Sequence, residues 1–283
     1  MVTMIDGKAV AREIRAEVKA RAQAFSQKYG RAPMLAVILA GSNAASEVYV
    51  TNKEKACGWV GVRSKVIRFG AEVSEDELIS AVNRLNADDE VNGILVQLPL
   101  PAQIREENVL NAISPAKDVD GFHPLNAGKM LRGGAALEPC TPRGCVELLK
   151  RSGIGLAGAN AVVIGRSNIV GKPMAAMLLR EDCTVTVCHT KTKNLSELTR
   201  RADIVVCAAG CPGMLTGDML RPGAAVIDVG ISRMADGSLR GDADEESVAS
   251  VAGFLTPVPG GVGPMTIAML LRNTLIAAEN QYA

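Results

Sequence analysis

The chain has 283 residues, 48% of them hydrophobic and 22% charged, so a well-buried core is expected and a disordered chain is excluded. Lysine and arginine total 31 against 30 acids, a net charge of +1, which offers no basic surface for nucleic acid or an acidic membrane. No stretch reaches about 18 consecutive apolar residues, and "MVTMIDGKAVAREIR" is charged where a signal peptide is apolar, so the reading is a soluble cytoplasmic protein with no membrane partner.

Residues 6–29 carry Val10, Ile14, Val18, Ala22 and Phe25 at helical spacing, ended by Gly30 and Pro33. "MLAVILAG" (34–41) is a continuous apolar strand, followed by a helix from about Ser46 to Val60. "VRSKVIRF" (62–69) alternates like a strand, and Ser74 with Glu77 forms a capping box for a helix running to Ala87. "VNGILVQLPL" (91–100) is a third strand, and this order means a parallel sheet with right-handed crossovers. Residues 114–145, rich in Gly, Pro and Asp, break the rhythm and read as a functional loop or linker, with a domain boundary near Pro139. A second α/β series follows, with "ANAVVIG" (159–165), "TVTVCH" (184–189), "DIVVCAAG" (203–210) and "AAVIDVG" (224–230) as buried parallel strands. A last helix starts at Pro264, and the sequence alone leaves open which domain it packs against.

Seven cysteines at 57, 140, 145, 183, 188, 207 and 211 contain no C-x-x-C pair. Cys183, Cys188 and His189 read as buried thiols and a structural histidine rather than metal ligands, so no metal site is expected.

"GRSNIVGKP" (165–173) joins a strand to a helix, and its glycines let backbone N–H groups approach a phosphate. It is not a Walker A loop, because Pro173 stands where a magnesium-binding hydroxyl is required, and it is not G-x-G-x-x-G. At the next strand end, where NAD-binding domains place an acid, the chain reads "CHTK", with Thr190 and Lys191. With Arg166 after the first glycine, a site with positive charge and no carboxylate favours NADP over NAD. "YVTNK" (49–53) sets Tyr49 and Lys53 one helical turn apart, as short-chain reductases do. Such a reductase carries its glycine loop first; here the pair precedes the loop, which tells against that reading.

"YVTNK", "VQLPLP" (96–101), "KDVDGFHPLNAGK" (117–129), "PCTP" (139–142), "GRSNIVGKP", "DVG" (228–230) and "TPVPGGVGPMT" (256–266) together, in this order, resemble the bifunctional methylenetetrahydrofolate dehydrogenase/methenyltetrahydrofolate cyclohydrolase family over nearly the whole chain. The resemblance implies two α/β domains, each with a mainly parallel sheet, the second Rossmann-like and binding NADP, with the folate in a cleft between them. It implies that the last helix returns to the first domain, giving 1–139 plus 264–283 and 140–263, and that the protein is a homodimer. By motif, Lys53 matches the catalytic lysine, Gln97 the amide bonded to it, and Asp120 the acid that binds the pterin. Tyr49 matches the tyrosine stacked on the aminobenzoate; Pro259, Gly260 and Gly261 fall in the substrate-binding stretch before the last helix. Gly165, Arg166, Ser167, Thr190 and Ile231 match dinucleotide contacts. Ala44, Thr190 and Cys211 depart from residues more usual at those positions.

The implied chemistry is hydride loss from 5,10-methylenetetrahydrofolate to NADP, then hydration of the methenyl cation to 10-formyltetrahydrofolate. The first step needs orientation; the second needs proton transfer. Burial and an adjacent substrate cation both disfavour the charged form of an amine, which suits Lys53 to that transfer. Gln97 suits its partner role, since a carboxylate there would hold the lysine protonated. His123 and His189 read as structural. A dehydrogenase without the cyclohydrolase step and a non-catalytic folate- or NADP-sensing protein are the competing readings. The presence of Lys53, Gln97 and Asp120 weighs against both.

Overall fold

The computed structural model describes residues 1–282; the side chains of Ala44 and Ala45 lie outside it, and with them the departure at position 44. The elements in chain order begin β1 (Thr3–Met4), α1 (Gly7–Tyr29), β2 (Met34–Ala40), α2 (Ala44–Val60), β3 (Arg63–Phe69), α3 (Glu75–Ala87) and β4 (Gly93–Val96). Then come α4 (Glu106–Ala112), α5 (Pro124–Leu131), α6 (Cys140–Arg151), β5 (Asn160–Ile164), α7 (Gly171–Arg180), β6 (Thr184–Cys188) and α8 (Leu195–Thr199). The chain continues with β7 (Ile204–Cys207), β8 (Ala225–Asp228), β9 (Ser232–Arg233), β10 (Leu239–Arg240), α9 (Glu245–Ala249), β11 (Phe254–Leu255) and α10 (Val262–Gln281). These form two compact units, one of Met1–Arg12 with Thr141–Thr266 and one of Glu13–Cys140 with Ile267–Ala283.

The unit of Glu13–Cys140 and Ile267–Ala283 holds a three-stranded parallel sheet in the order β3-β2-β4. Every residue of β2 is buried, as its unbroken apolar run requires. Met34, Ala36, Ile38 and Ala40 line one face and pack with Leu78, Val82 and Leu85 of α3 and Val109 of α4. The Ser74–Glu77 capping box closes in both directions and starts α3 at Glu75. β3 lies at the sheet edge, with Arg63, Ser64, Lys65 and Arg68 exposed. The expected strand over 91–100 is confined to Gly93–Val96. Beyond it Pro99 and Pro101 have no N–H to donate, Leu98–Pro99 is cis, and only Gln97 N continues the ladder, to Ile38 O at 2.9 Å.

The unit of Met1–Arg12 and Thr141–Thr266 holds a six-stranded sheet in the order β1-β11-β8-β7-β5-β6, parallel throughout. β6 corrects the expectation of a buried strand. At the sheet edge it leaves Thr184, Thr186 and Val187 exposed and buries Cys188. Val162, Ile164, Val205, Cys207 and Val226 form the core with Val248 of α9 and Leu255 of β11. Strand order reverses between β5 and β7, the point where doubly wound sheets open a crevice at their carboxyl ends.

The stretch 114–145 is not the uniform loop its composition suggests. α5 starts at Pro124, in the favoured first position, with His123 Nδ1 accepting Leu125 N at 3.1 Å. α6 begins at Cys140 despite Pro142 and Gly144 in its first turns. A Cβ on Gly144 would lie 2.7 Å from Met265 Cβ, so glycine marks close helix packing there, not a break. α10 starts at Val262, two residues before the expected Pro264, which stays within the first turn.

Candidate active site

Tyr49 and Lys53 lie on α2, which follows β2, and Gln97 follows β4; all three therefore sit beyond the carboxyl ends of neighbouring parallel strands. Lys53 Nζ donates to Gln97 Oε1 at 2.9 Å. The amide is itself held by Gln97 Nε2 donating to Leu98 O at 2.7 Å, which fixes which end faces the lysine. Lys53 is half-buried, whereas the Tyr49 ring is 48% exposed and presents an uncovered face.

Asp120 lies in the "KDVDGF" loop, and the two acids of that motif have different work. Asp118 is buried and saturated: Oδ1 accepts Phe122 N at 3.2 Å, and Oδ2 accepts His123 N at 2.8 Å and Asn126 Nδ2 at 2.9 Å. Burial nevertheless holds its carboxyl above the usual aspartate range. Asp120 is half-buried, and burial pushes it up to about 6, with Lys53 drawing it down and Asp118 raising it further. Asp118 builds the loop and leaves Asp120 with its oxygens available.

Three residues absent from the sequence reading hold this loop in place. Lys117, buried, donates to the carbonyls of Leu85, Asn86 and Asp88 at 3.0, 2.9 and 2.8 Å, sealing the C-terminal end of α3. Desolvation lowers its pKa. Asn273 of α10 donates to Val119 O and Glu138 O at 2.8 Å each and to Cys140 Sγ at 3.6 Å, gripping the loop from both ends. An Asn in the middle of a largely apolar helix was the available signal for it. Asp118 was legible only as one of two acids in the motif.

In the other unit, Gly165 follows β5 with φ +124°, and a Cβ there would lie 2.1 Å from Ala208 O, so only glycine fits the turn. Ser167 Oγ accepts Val170 N at 3.1 Å and Gly171 N at 3.3 Å, and its carbonyl accepts Lys172 N at 3.0 Å. The first N–H groups of α7 are therefore taken internally. The loop and the Ser167 hydroxyl proton are what remain to meet a phosphate here. Arg166, Thr190 and Lys191 are exposed, and no carboxylate pairs with Arg166 or Lys191 among the described residues. This is a cradle with cations at its rim, which fits a phosphorylated dinucleotide. Ile231 is 44% exposed after β8. Pro259 is exposed at a cis bond, Gly260 has φ +117°, and a Cβ on Gly261 would lie 2.7 Å from Pro257 O.

His189 Nδ1 accepts Lys191 N at 3.1 Å and His189 N donates to Thr192 Oγ1, so both histidines shape turns. Among the described residues no group of three His, Cys, Asp or Glu is placed to hold a metal, and Cys183 donates to Leu156 O. No helix among them is long and apolar enough to cross a membrane.

A doubly wound dinucleotide-binding unit joined in one chain to a second α/β unit with a lysine–amide pair defines a two-unit pyridine-nucleotide enzyme. Residues 5–120 match the tetrahydrofolate dehydrogenase/cyclohydrolase catalytic domain, and residues 139–282 match the NAD(P)-binding domain of the same family. The bifunctional protein FolD 3 of Rhizorhabdus wittichii is 57% identical over 283 residues, 98% of this chain and 93% of that one. The bifunctional FolD enzyme of Campylobacter jejuni, solved as a crystal structure, is 50% identical with a TM-score of 0.97 and covers 99% of both chains. The dehydrogenase-cyclohydrolase of Trypanosoma brucei, solved with NADP and an inhibitor, is 39% identical with a TM-score of 0.94 over 99% of this chain and 98% of that one. The chain belongs to the tetrahydrofolate dehydrogenase/cyclohydrolase family.

Proposed function

We propose that this protein oxidises 5,10-methylenetetrahydrofolate with NADP and hydrolyses the methenyl product to 10-formyltetrahydrofolate. The observation that carries this reading is the Lys53–Gln97 bond beside Asp120, within a chain that matches both domains of the family. Asp120 accepts hydrogen bonds from the pterin's amino and ring N–H groups, and the exposed Tyr49 ring stacks on the aminobenzoate. Pro259, Gly260 and Gly261 also belong to the substrate site, where glycines without side chains let a ligand come close to the backbone.

Gly165, Arg166, Ser167, Thr190 and Ile231 hold NADP, with Arg166 and Lys191 facing its 2′-phosphate. Bound there, NADP supplies the acceptor for the hydride, and the nitrogen lone pairs of the substrate drive its departure. The chain's task in that step is orientation. In the second step water attacks the methenyl carbon, Lys53 Nζ takes the proton released, and the C–N bond to the pterin nitrogen breaks as that nitrogen is protonated. Gln97 fixes Nζ along one direction without adding charge.

The domain assignment carried by this reading is 1–139 plus 264–283 for folate and 140–263 for NADP, with the difference that Met1–Arg12, through β1, join the six-stranded sheet of the NADP unit. The family resemblance supports a homodimer, and seven unpaired thiols suit a reducing cytoplasm. An assay with methylenetetrahydrofolate and NADP, following NADPH and methenyl absorbance together, tests the function. NADPH formation without lasting methenyl accumulation is expected. Equimolar methenyl accumulation would reduce the protein to a dehydrogenase, and no change in either signal would reduce it to a binding protein.

A further inference from the structure

Two carboxylates lie buried at the carboxyl ends of β7 and β8, outside the residues assigned to either ligand. Asp228 ends β8 and is 3% exposed; Asp242, after β10, is fully buried. They interlock. Asp228 Oδ1 accepts Asp242 N at 2.9 Å and Gly230 N at 3.1 Å, and Oδ2 accepts Ala243 N at 2.9 Å. Asp242 Oδ2 in turn accepts Ala209 N at 2.7 Å and Gly210 N at 2.9 Å, in the loop after β7. Asp242 Oδ1 has no hydrogen-bond partner and lies against Gly230, where a Cβ would come within 2.2 Å of it. Asp228 crowds Gly241 in the same way, at 1.9 Å.

The loops so gripped are those of the switch point. Ala208 O is the atom that leaves room only for glycine at 165, and Ala208 N donates to Ile164 O at 2.7 Å, so the 208–210 loop is packed on the phosphate turn. Gly230 precedes Ile231. Neither acid forms an ion pair among the described residues, and a buried carboxylate with an unsatisfied oxygen is a costly arrangement unless it orders something. Burial pushes Asp228 up to about 6, with Asp242 contributing, and the nearby Cys207 thiol is raised by burial and then by both acids.

We propose that Asp242, locked by Asp228, is a positioning residue for the dehydrogenase reaction: through Ala209–Gly210 and Gly230–Ile231 it sets the two strand-end loops that shape the NADP site. This rests on the dinucleotide reading of the unit. The hydration step uses no NADP, and Lys53, Gln97 and Asp120, on which its proton transfer and pterin binding rest, lie in the other unit, so it is an internal control. Asp242→Ala is expected to raise the KM for NADP about tenfold or more, while hydrolysis of methenyltetrahydrofolate without NADP stays within about twofold. Asp242→Asn keeps an acceptor for Ala209 and Gly210 but loses the charge that strengthens both bonds, and is expected to raise that KM about threefold to tenfold. Should the alanine variant not fold, the asparagine variant decides alone. An unchanged NADP KM in a folded variant overturns the proposal, as does an equal loss of both activities. A wild-type protein that does not reduce NADP overturns the dinucleotide reading first, before any variant is compared.

Discussion

Asp120 is held where its charged form is disfavoured, and Asp120→Asn measures by how much. In the fold its carboxyl is pushed up to about 6 from an ordinary value near 3.8, burial being the main cause. Because the folded pKa lies above the unfolded one, the group favours the folded state at low pH, and that contribution is lost as pH rises from about 4 through about 6. At pH 8 the ionised wild-type carboxylate therefore costs up to about 3 kcal/mol, and its half-buried position lowers this to about 2 kcal/mol. Asparagine cannot ionise. The variant should be about 2 kcal/mol more stable than wild type at pH 8 and nearly equal to it at pH 4, while losing folate binding. The single tryptophan, Trp59, lies in the same unit and is half exposed beneath Lys19 at 4.9 Å, so its fluorescence follows urea unfolding of that unit. A variant that gains nothing at pH 8, or gains the same at both pH values, would refute the reasoning.

Lys53→Met keeps the side chain's length but not its amine, and should lower cyclohydrolase activity by at least ~10²-fold while dehydrogenase suffers less and methenyl product builds up. Tyr49→Ala should weaken both reactions together, since it removes the ring that positions a shared substrate; an equal loss from Lys53→Met would assign the lysine to orientation as well. Arg166→Ala should cost about 1.5–3 kcal/mol in NADP binding and little in NAD binding, and a wild type with equal kcat/KM for the two cofactors would contradict this. Activity should survive exhaustive chelation, and recovery on adding zinc after a loss would show that the cysteine and histidine positions were misread.

Local rules carried much of the fold. The all-apolar β2, the period of α1 and the reciprocal Ser74–Glu77 cap are each written in adjacent residues, and each formed as read. What escaped depends on partners far along the chain. Thr3 and Met4 are too few to signal a strand and become one only by pairing with Phe254 and Leu255. Gly144 and Pro142 imitate a loop because the cause of Gly144, Met265, is more than a hundred residues away. β6 reads as buried from its β-branched residues, but position in the sheet, not composition, decides exposure. In the site, motif order brought out Lys53, Gln97 and Asp120. Asp118, Asn273 and Asp242 did not stand out, because most of their partners are backbone groups, and a backbone carbonyl or N–H has no letter in a sequence.

The distribution of sulfur turns the chain into its own opening counter. Cys211 alone is exposed, whereas the other six thiols are buried, with Cys57 and Cys145 pushed up to about 12 by burial and so poor nucleophiles while covered. Cys57 and Cys140 belong to one unit, and Cys145, Cys183, Cys188 and Cys207 to the other. An alkylating reagent therefore marks Cys211 at once and each further sulfur only when its own surroundings part. Added mass, read peptide by peptide over time, resolves the opening of the two units separately and under native conditions, with no probe introduced.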